Sequence, residues 1–212
     1  MPHNGGIRME EKRARFCKAD KGEYIEEVSS IVKNLLISVG EDPEREGLKD
    51  TPKGVAKTYR EIFKGYCDEE LPNVTVFNND ENYNEMILDE GYYYSFCEHH
   101  IVPFFGKVFI AYIPDKKLIG ISKLARVVDH FAARLQVQER LTKQIAEFLN
   151  DVLKPKGVAV LMQGRHLCRE LRGVKKLNAI VTTTELIGAF KEDAKTRAEF
   201  MGLVRRGLNN NH

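Results

Sequence analysis

The stretch GISKLARVVDHFAARLQVQERLTKQIAEFLNDVLKPKG, residues 120–157, carries two apolar faces in succession. Leu124, Val127, Val128, Phe131 and Leu135 recur at helical spacing, and so do Leu141, Ile145, Phe148, Leu149 and Val152. Lys154-Pro155-Lys156-Gly157 ends the second run. The spacing predicts a pair of long helices. On either side the composition turns to β-formers and aromatics. Met86–Leu88, Tyr92–Phe96 and Lys107–Ile113 come before the pair, with a turn at Pro114-Asp115, and Val158–Met162 and Ala179–Glu185 come after it. Strands separated by a helical pair predict an α+β domain, an antiparallel sheet of four strands with helices on one face. Such a sheet leaves its other face and its edges bare, so association between copies is expected to cover them.

Outward from this centre, a last helix is predicted from about Asp193, a good cap, through Phe200, Leu203 and Val204. Toward the N-terminus, Ile25, Val28, Ile31, Val32, Leu35 and Leu36 form one amphipathic stripe. Thr51-Pro52 reads as a cap followed by proline at the first helical position, opening a second helix through Val55, Tyr59, Ile62, Phe63 and Tyr66. Residues 68–83 are acidic and Asn-rich and read as a loop or linker. The expected organisation is a flexible basic tail over 1–20, an N-terminal helical region over 21–84, the α+β domain over 85–207 and a tail over 208–212.

Bulk properties narrow the class. The 212 residues are 42% hydrophobic and 30% charged, as in an ordinary globular protein, and the net charge of +2 gives no general attraction to nucleic acid or membrane. No apolar run reaches the roughly 20 residues of a spanning helix, and the polar N-terminus lacks the apolar segment of a secretory signal. A cytoplasmic protein is expected. Cys17, Cys67, Cys97 and Cys168 are then metal ligands or free thiols rather than disulfides.

Three features carry chemistry. Cys97-Glu98-His99-His100 ends a predicted strand, and His166-Leu167-Cys168 follows another. Thiolates and an imidazole suit zinc, and Cys97, His100 and Cys168 as three ligands leave a fourth position for water. A buried thiol beside surface histidines fits the same spacing. His99 and His166 lie within two residues of these positions and are of the residue type that serves as general acid or base, whereas His130, inside a helix, reads as structural. Second, Arg165, Arg169, Arg172, Lys175 and Lys176 crowd a segment with one acid, and Ser122, Lys123 and Arg126 open a helix whose free N–H groups favour anions. They fit a polyphosphate, or simply a solvated basic face. Glycine-rich phosphate loops of the GxxxxGK[ST] and GxGxxG types are missing. Third, Gln138 and Glu139 pair an amide with a carboxylate. Glu139 can accept from the ring N–H and exocyclic amine of guanine, or pair with Lys143 one turn on.

Taken together, SFCEHHIVPFFGKV (95–108), GISKLARVVDHFAARLQVQERLTKQIA (120–146) and RHLCRELRGV (165–174) closely resemble GTP cyclohydrolase I, over about Ile25 to Arg206. The resemblance implies the tunnelling fold, a four-stranded antiparallel sheet with two antiparallel helices. It implies subunits joined into a toroidal homodecamer with active sites at subunit interfaces. It also implies zinc-dependent hydrolysis of GTP to 7,8-dihydroneopterin triphosphate and formate, the first step of folate- or tetrahydrobiopterin-type pterin synthesis. Cys97, His100 and Cys168 would bind Zn2+. His99 would protonate nitrogen 7 of the purine, and His166 would assist proton transfer. Glu139 would anchor guanine with Gln138 beside it. Ser122, Lys123, Arg126, Arg172 and Lys57 would hold the triphosphate or ribose.

Two positions depart from the family pattern. The TPxR segment is Thr51-Pro52-Lys53-Gly54 here, which removes an arginine, and Gly91 stands where a bulky apolar strand residue is usual. Other readings are a deazaguanine nitrile reductase, which needs a nucleophilic cysteine and a nicotinamide rather than a metal, and a non-catalytic purine-nucleotide-binding or zinc-storage module. Neither nucleic acid nor membrane is an expected partner.

Overall fold

The computed structural model describes residues 16–17, 21–67, 72 and 74–209. The chain divides into two compact units, Met1–Glu69 and Glu70–His212. The tail expected over 1–20 lies outside the described residues except for Phe16 and Cys17. At the other end, Leu208 and Asn209 belong to the last helix and 210–212 lie outside.

The N-terminal unit contains α1 (Lys21–Ser38) and α2 (Thr51–Ile62), followed by a single 3-10 turn at Lys64–Tyr66. The expected stripe on α1 splits: Val32 is buried, with Tyr24 from outside the stripe, while Ile31 and Leu35 stay about 60% exposed. Asp50, not Thr51, occupies the cap position of α2, and no side chain caps it.

The second unit is built on a sheet. Its strands are β1 (Val76–Asn78), β2 (Ile87–Cys97), β3 (Pro103–Ile113), β4 (Lys117–Ile119), β5 (Leu135–Gln136), β6 (Gly157–His166) and β7 (Ile180–Gly188). Its helices are α3 (Ile121–Ala132), α4 (Gln138–Leu153), the single turns α5 (Leu167–Glu170) and α6 (Ala189–Glu192), and α7 (Ala194–Asn209). The main sheet runs β5-β2-β3-β6-β7, antiparallel throughout except that β5 pairs parallel with β2. The four long strands and the helical pair are those the sequence predicts.

Three differences have physical causes. The segment 68–83 was expected to be loop, yet Val76–Asn78 pairs antiparallel with β4, following the β-formers Val74 to Phe77. Leu135 was expected on the first long helix. Instead α3 stops at Ala132, and Leu135 and Gln136 pair with Phe96 and Cys97. No glycine or proline marks that break, so backbone pairing with β2 decides it. Finally, the second sheet face is not bare. β3 and β6 are apolar on both faces: Val108, Ile110, Tyr112, Val158, Val160 and Met162 join the α3–α4 core, whereas Phe109, Ala111, Ala159 and Leu161 form a second core with Phe190, Phe200 and Val204. The expected cap at Asp193 holds α7, since its carboxylate accepts from Thr196 N (2.8 Å) and Thr196 Oγ1 (2.6 Å).

The C-terminal end of α7 sits on the sheet through a buried lysine. Lys107 Nζ donates to Glu90 Oε1 (2.6 Å) and to the Gly207 carbonyl (2.9 Å). A Cβ on Gly207 would collide with Glu90 Oε2 and lie 2.9 Å from Phe109 Cε1, whereas one on Gly202 meets nothing within 4 Å. Alanine normally stabilises a helix by ~1 kcal/mol over glycine. Gly202→Ala is expected to follow that rule, and Gly207→Ala to lose about 1–2 kcal/mol because overpacking outweighs propensity. Urea unfolding midpoints decide it, and a shift of the same sign for both variants would contradict the packing described. Among the described residues, no helix is long and apolar enough to cross a membrane.

Candidate active site

The hairpin between β2 and β3 builds the first half of the site. Cys97 is the last residue of β2, and Pro103 opens β3. The intervening loop folds back on Cys97. The Cys97 carbonyl accepts from His100 N (3.4 Å) and Ile101 N (2.8 Å), and Cys97 N donates to the Val102 carbonyl (3.0 Å). Ile101 takes a left-handed φ of 52°, an uncommon conformation for a β-branched residue and the consequence of so tight a loop. In a continuing strand His99 and His100 would point to opposite faces. The turn instead brings both rings to Cys97, with Sγ 3.7 Å from His99 Nδ1 and 3.9 Å from His100 Nδ1.

The second half comes from the end of β6. His166 is its last residue, and Cys168 lies in the single turn α5 that follows. Register pairs His166 with Phe104, and their rings stack at 4.6 Å and 6°. The turn is fastened by Arg165, whose guanidinium grips both oxygens of Glu170 (2.9 and 2.6 Å), holding that carboxyl below its usual range. Arg165 therefore serves this ion pair rather than a free basic face, and Glu170, passed over in the sequence as a lone acid, holds α5 in place.

Cys97, His100 and Cys168 converge, their ligand atoms all within 4.8 Å of one another. A tetrahedral site with Zn–S of about 2.3 Å and Zn–N of about 2.0 Å has edges of roughly 3.3–3.8 Å, so closing the cluster takes about 1 Å. The donor chemistry fits a cation. Burial and the neighbouring Cys97 thiol push the Cys168 thiol up. Two adjacent thiols resist losing both protons until a cation lies between them. His99 comes as near Cys97 as His100 does, but among the described residues His100 is the histidine grouped with both thiols. Arg172 reaches the outside of that ring, its guanidinium 3.1 Å from His100 Nε2.

Gln138 is positioned differently from its expected place beside a base. Its side chain is 1% exposed. Its Nε2 donates toward the Met162 carbonyl (3.1 Å), the Val181 carbonyl (3.0 Å) and Thr183 Oγ1 (3.0 Å), leaving Oε1 to face His166 Nε2 at 2.9 Å. An amide oxygen only accepts, so His166 carries its proton on Nε2 and keeps Nδ1 as a base. Burial lowers the imidazole pKa, opposed by the Glu139 carboxylate, so the ring is neutral near pH 7.

Glu139 is exposed in the first turn of α4. Lys143 forms its ion pair with Glu147 (3.6 Å) rather than with Glu139. Arg140, the next residue, bonds Glu98 and Gln136 Oε1 (2.8 Å), tying the start of α4 to the Cys97 loop. Sequence reading had assigned no role to Glu98 or Arg140. His130 is buried against Arg134 and Phe131, as a structural histidine should be.

Ser122 and Lys123 lie in the first turn of α3, with Arg126 one turn further on. α3 meets the end of β2 at its C-terminus, where Ser95 Oγ donates to the Ala132 carbonyl (2.8 Å). Roughly 15 Å of helix axis separates Ser122 from that contact. Lys57 and Gly54 lie on α2 of the N-terminal unit, where a Cβ on Gly54 would meet nothing within 4 Å. All four cysteines are free.

Residues 28–205 match the family model described as GTP cyclohydrolase I. GTP cyclohydrolase 1 of Chlorobium chlorochromatii (strain CaD3) is 50% identical over 190 residues, covering 88% of this chain and 84% of that protein. GTP cyclohydrolase 1 of Coxiella burnetii (strain RSA 493 / Nine Mile phase I) is 50% identical over 183 residues, covering 84% of this chain and 98% of that protein. A solved structure of the archaeosine synthase QueF-Like in the apo form overlaps 49% of this chain and 93% of its own at 18% identity and a TM-score of 0.40, a likeness too weak to decide anything. The family match spans most of the chain, both GTP cyclohydrolase relatives align over most of their length, and the sheet and helical pair have the family's arrangement. The chain belongs to the GTP cyclohydrolase I family and has its tunnelling fold.

Proposed function

We propose that this protein hydrolyses GTP to 7,8-dihydroneopterin triphosphate and formate. The observation that carries this reading is the convergence of Cys97, His100 and Cys168 beside His166, whose free Nδ1 is set by Gln138. Cys97, His100 and Cys168 would hold a zinc ion, which would supply Lewis acidity and an acidified water there. The chain's own groups do the rest. His99 delivers a proton to nitrogen 7 of guanine, making carbon 8 electrophilic. His166 accepts and returns protons through Nδ1 as the imidazole ring of the base opens and formate leaves. Arg172, beside His100, binds the ribose or triphosphate. The triphosphate leaves intact, so its cationic clamp orients the substrate and takes no part in bond breaking.

The working site is completed by further copies of the chain. Ser122 lies in the first turn of α3, roughly 15 Å of helix axis from where that helix meets β2, and this reading has a neighbouring copy supply it together with Lys123 and Arg126. The sheet edge at β7 and the exposed Leu171, Val174, Leu177 and Ile180 supply unpaired backbone and apolar surface for that contact. A ring-shaped homodecamer in the cytoplasm is the assembly this reading expects.

Glu139 selects the base. Its carboxylate accepts from both the ring N–H and the exocyclic amine of guanine, a pair of donors adenine lacks. Glu139→Gln is expected to lower kcat/KM for GTP about five- to 150-fold, the equivalent of the ~1–3 kcal/mol cost of leaving a buried donor unpaired. ATP should give no formate with either protein. Turnover of GTP unchanged in the variant, or turnover of ATP by the wild type, would return Glu139 to an ordinary surface carboxylate.

A further inference from the structure

Tyr93 is 1% exposed, and its hydroxyl has no hydrogen-bond partner. An unpaired buried hydroxyl costs stability, so its presence needs a reason. Its surroundings suggest one. The ring packs edge-on against Phe104 (6.0 Å), the same ring on which His166 stacks. The hydroxyl points at Gly164, two residues before His166. A Cβ built on Gly164 would collide with Tyr93 Oη and with Gln138 Oε1 alike, so the two oxygens border the same gap and glycine is what leaves it open. The Gln138 oxygen has two lone pairs, of which His166 Nε2 uses one. The Gln138 nitrogen is directed at three other acceptors, so Oε1 is the atom of that amide a phenol can address.

We propose that Tyr93 is a positioning residue for the reaction: its hydroxyl, unpaired in this structure, closes across the Gly164 gap onto Gln138 Oε1 in the working enzyme and so fixes the amide that sets the orientation and tautomer of His166. The phenol itself touches neither substrate nor metal. Burial pushes its pKa well up, so it remains a neutral donor throughout the working range. This rests on the reading of His166 as the proton-transfer group.

Tyr93→Phe removes only the hydroxyl, which is unpaired in this structure, and keeps the ring against Phe104, so the variant folds. If Tyr93 merely fills space, the change leaves kcat alone and raises stability slightly. If it positions His166, kcat with GTP falls roughly three- to tenfold while KM and zinc content stay at wild-type values. The His166 ring nitrogen resonances, assigned in 15N-histidine-labelled protein, should also move. In a Gln138→Ala background the same substitution should add no further loss, because the hydroxyl acts through that amide. Wild-type kcat together with unmoved His166 resonances overturns the proposal, and so does an undiminished loss in the Gln138→Ala background. The resonance measurement needs no turnover, so it separates a failure of this proposal from a failure of the assigned reaction.

Discussion

His100→Ala is expected to emerge from purification without zinc and without turnover, whereas His99→Ala keeps roughly one zinc per chain and loses turnover alone. The two residues are adjacent, and both rings reach the Cys97 thiol, at 3.7 Å for His99 and 3.9 Å for His100. Distance to Cys97 alone would not divide their roles. Cys168 divides them, because the trio of donor atoms that closes within 4.8 Å contains His100. Removing one of three protein ligands leaves two thiols that repel as thiolates and resist deprotonation together, so metal affinity collapses. Removing His99 leaves the three ligands and their geometry in place and withdraws only a proton, a loss of about 10²–10⁴-fold. Elemental analysis of both variants beside a formate assay checks this. Zinc lost from His99→Ala and kept by His100→Ala would reverse the assignment.

His166→Ala should cost as much in turnover as His99→Ala, about 10²–10⁴-fold in kcat, again with zinc retained. The size follows from how much of the fold is committed to this ring. It is stacked on Phe104, its Nε2 proton is held by a buried amide, and burial keeps it neutral near pH 7. A base already desolvated and oriented pays little reorganisation when the proton moves. Single-turnover kinetics on zinc-loaded variant protein isolates the chemical step. Loss of zinc in step with activity would make His166 a ligand rather than a proton-transfer group.

The architecture was legible where one residue type repeats at one period. The α3 and α4 stripes are of this kind, because burial on one face is written directly into spacing, while the four long strands were legible from their β-formers and aromatics. The end of α3 was not. Ala132 to Gln136 contains no breaker, and the chain leaves the helix to pair with β2, a contact between residues distant in sequence. The covering of the second sheet face was hidden for a related reason. Phe109, Ala111, Ala159 and Leu161 sit inside continuous apolar runs, where alternation cannot reveal that two faces are occupied.

At the site, Cys97, His100 and Cys168 were legible as candidate ligands, but their spacing fits a buried thiol beside surface histidines as well, and only the fold brings the three donor atoms within 4.8 Å of one another. The orientation of His166 was not, since it depends on Gln138 reaching from α4 to β6 and β7. Nor could spacing tell that Arg165 is engaged by Glu170, or that Arg140 ties the start of α4 to Glu98. Those facts depend on how elements cross, and charge counts along the chain carry no such information.

The central claim is that this chain opens the five-membered ring of GTP and leaves the phosphates alone. The most direct measurement follows three products from one reaction of zinc-loaded protein with GTP: formate, the fluorescence of the oxidised pterin, and inorganic phosphate. Formate and pterin rising together in equal amounts, with no phosphate, is the predicted result. Phosphate released in place of formate, or no formate from protein verified to carry zinc, would contradict it.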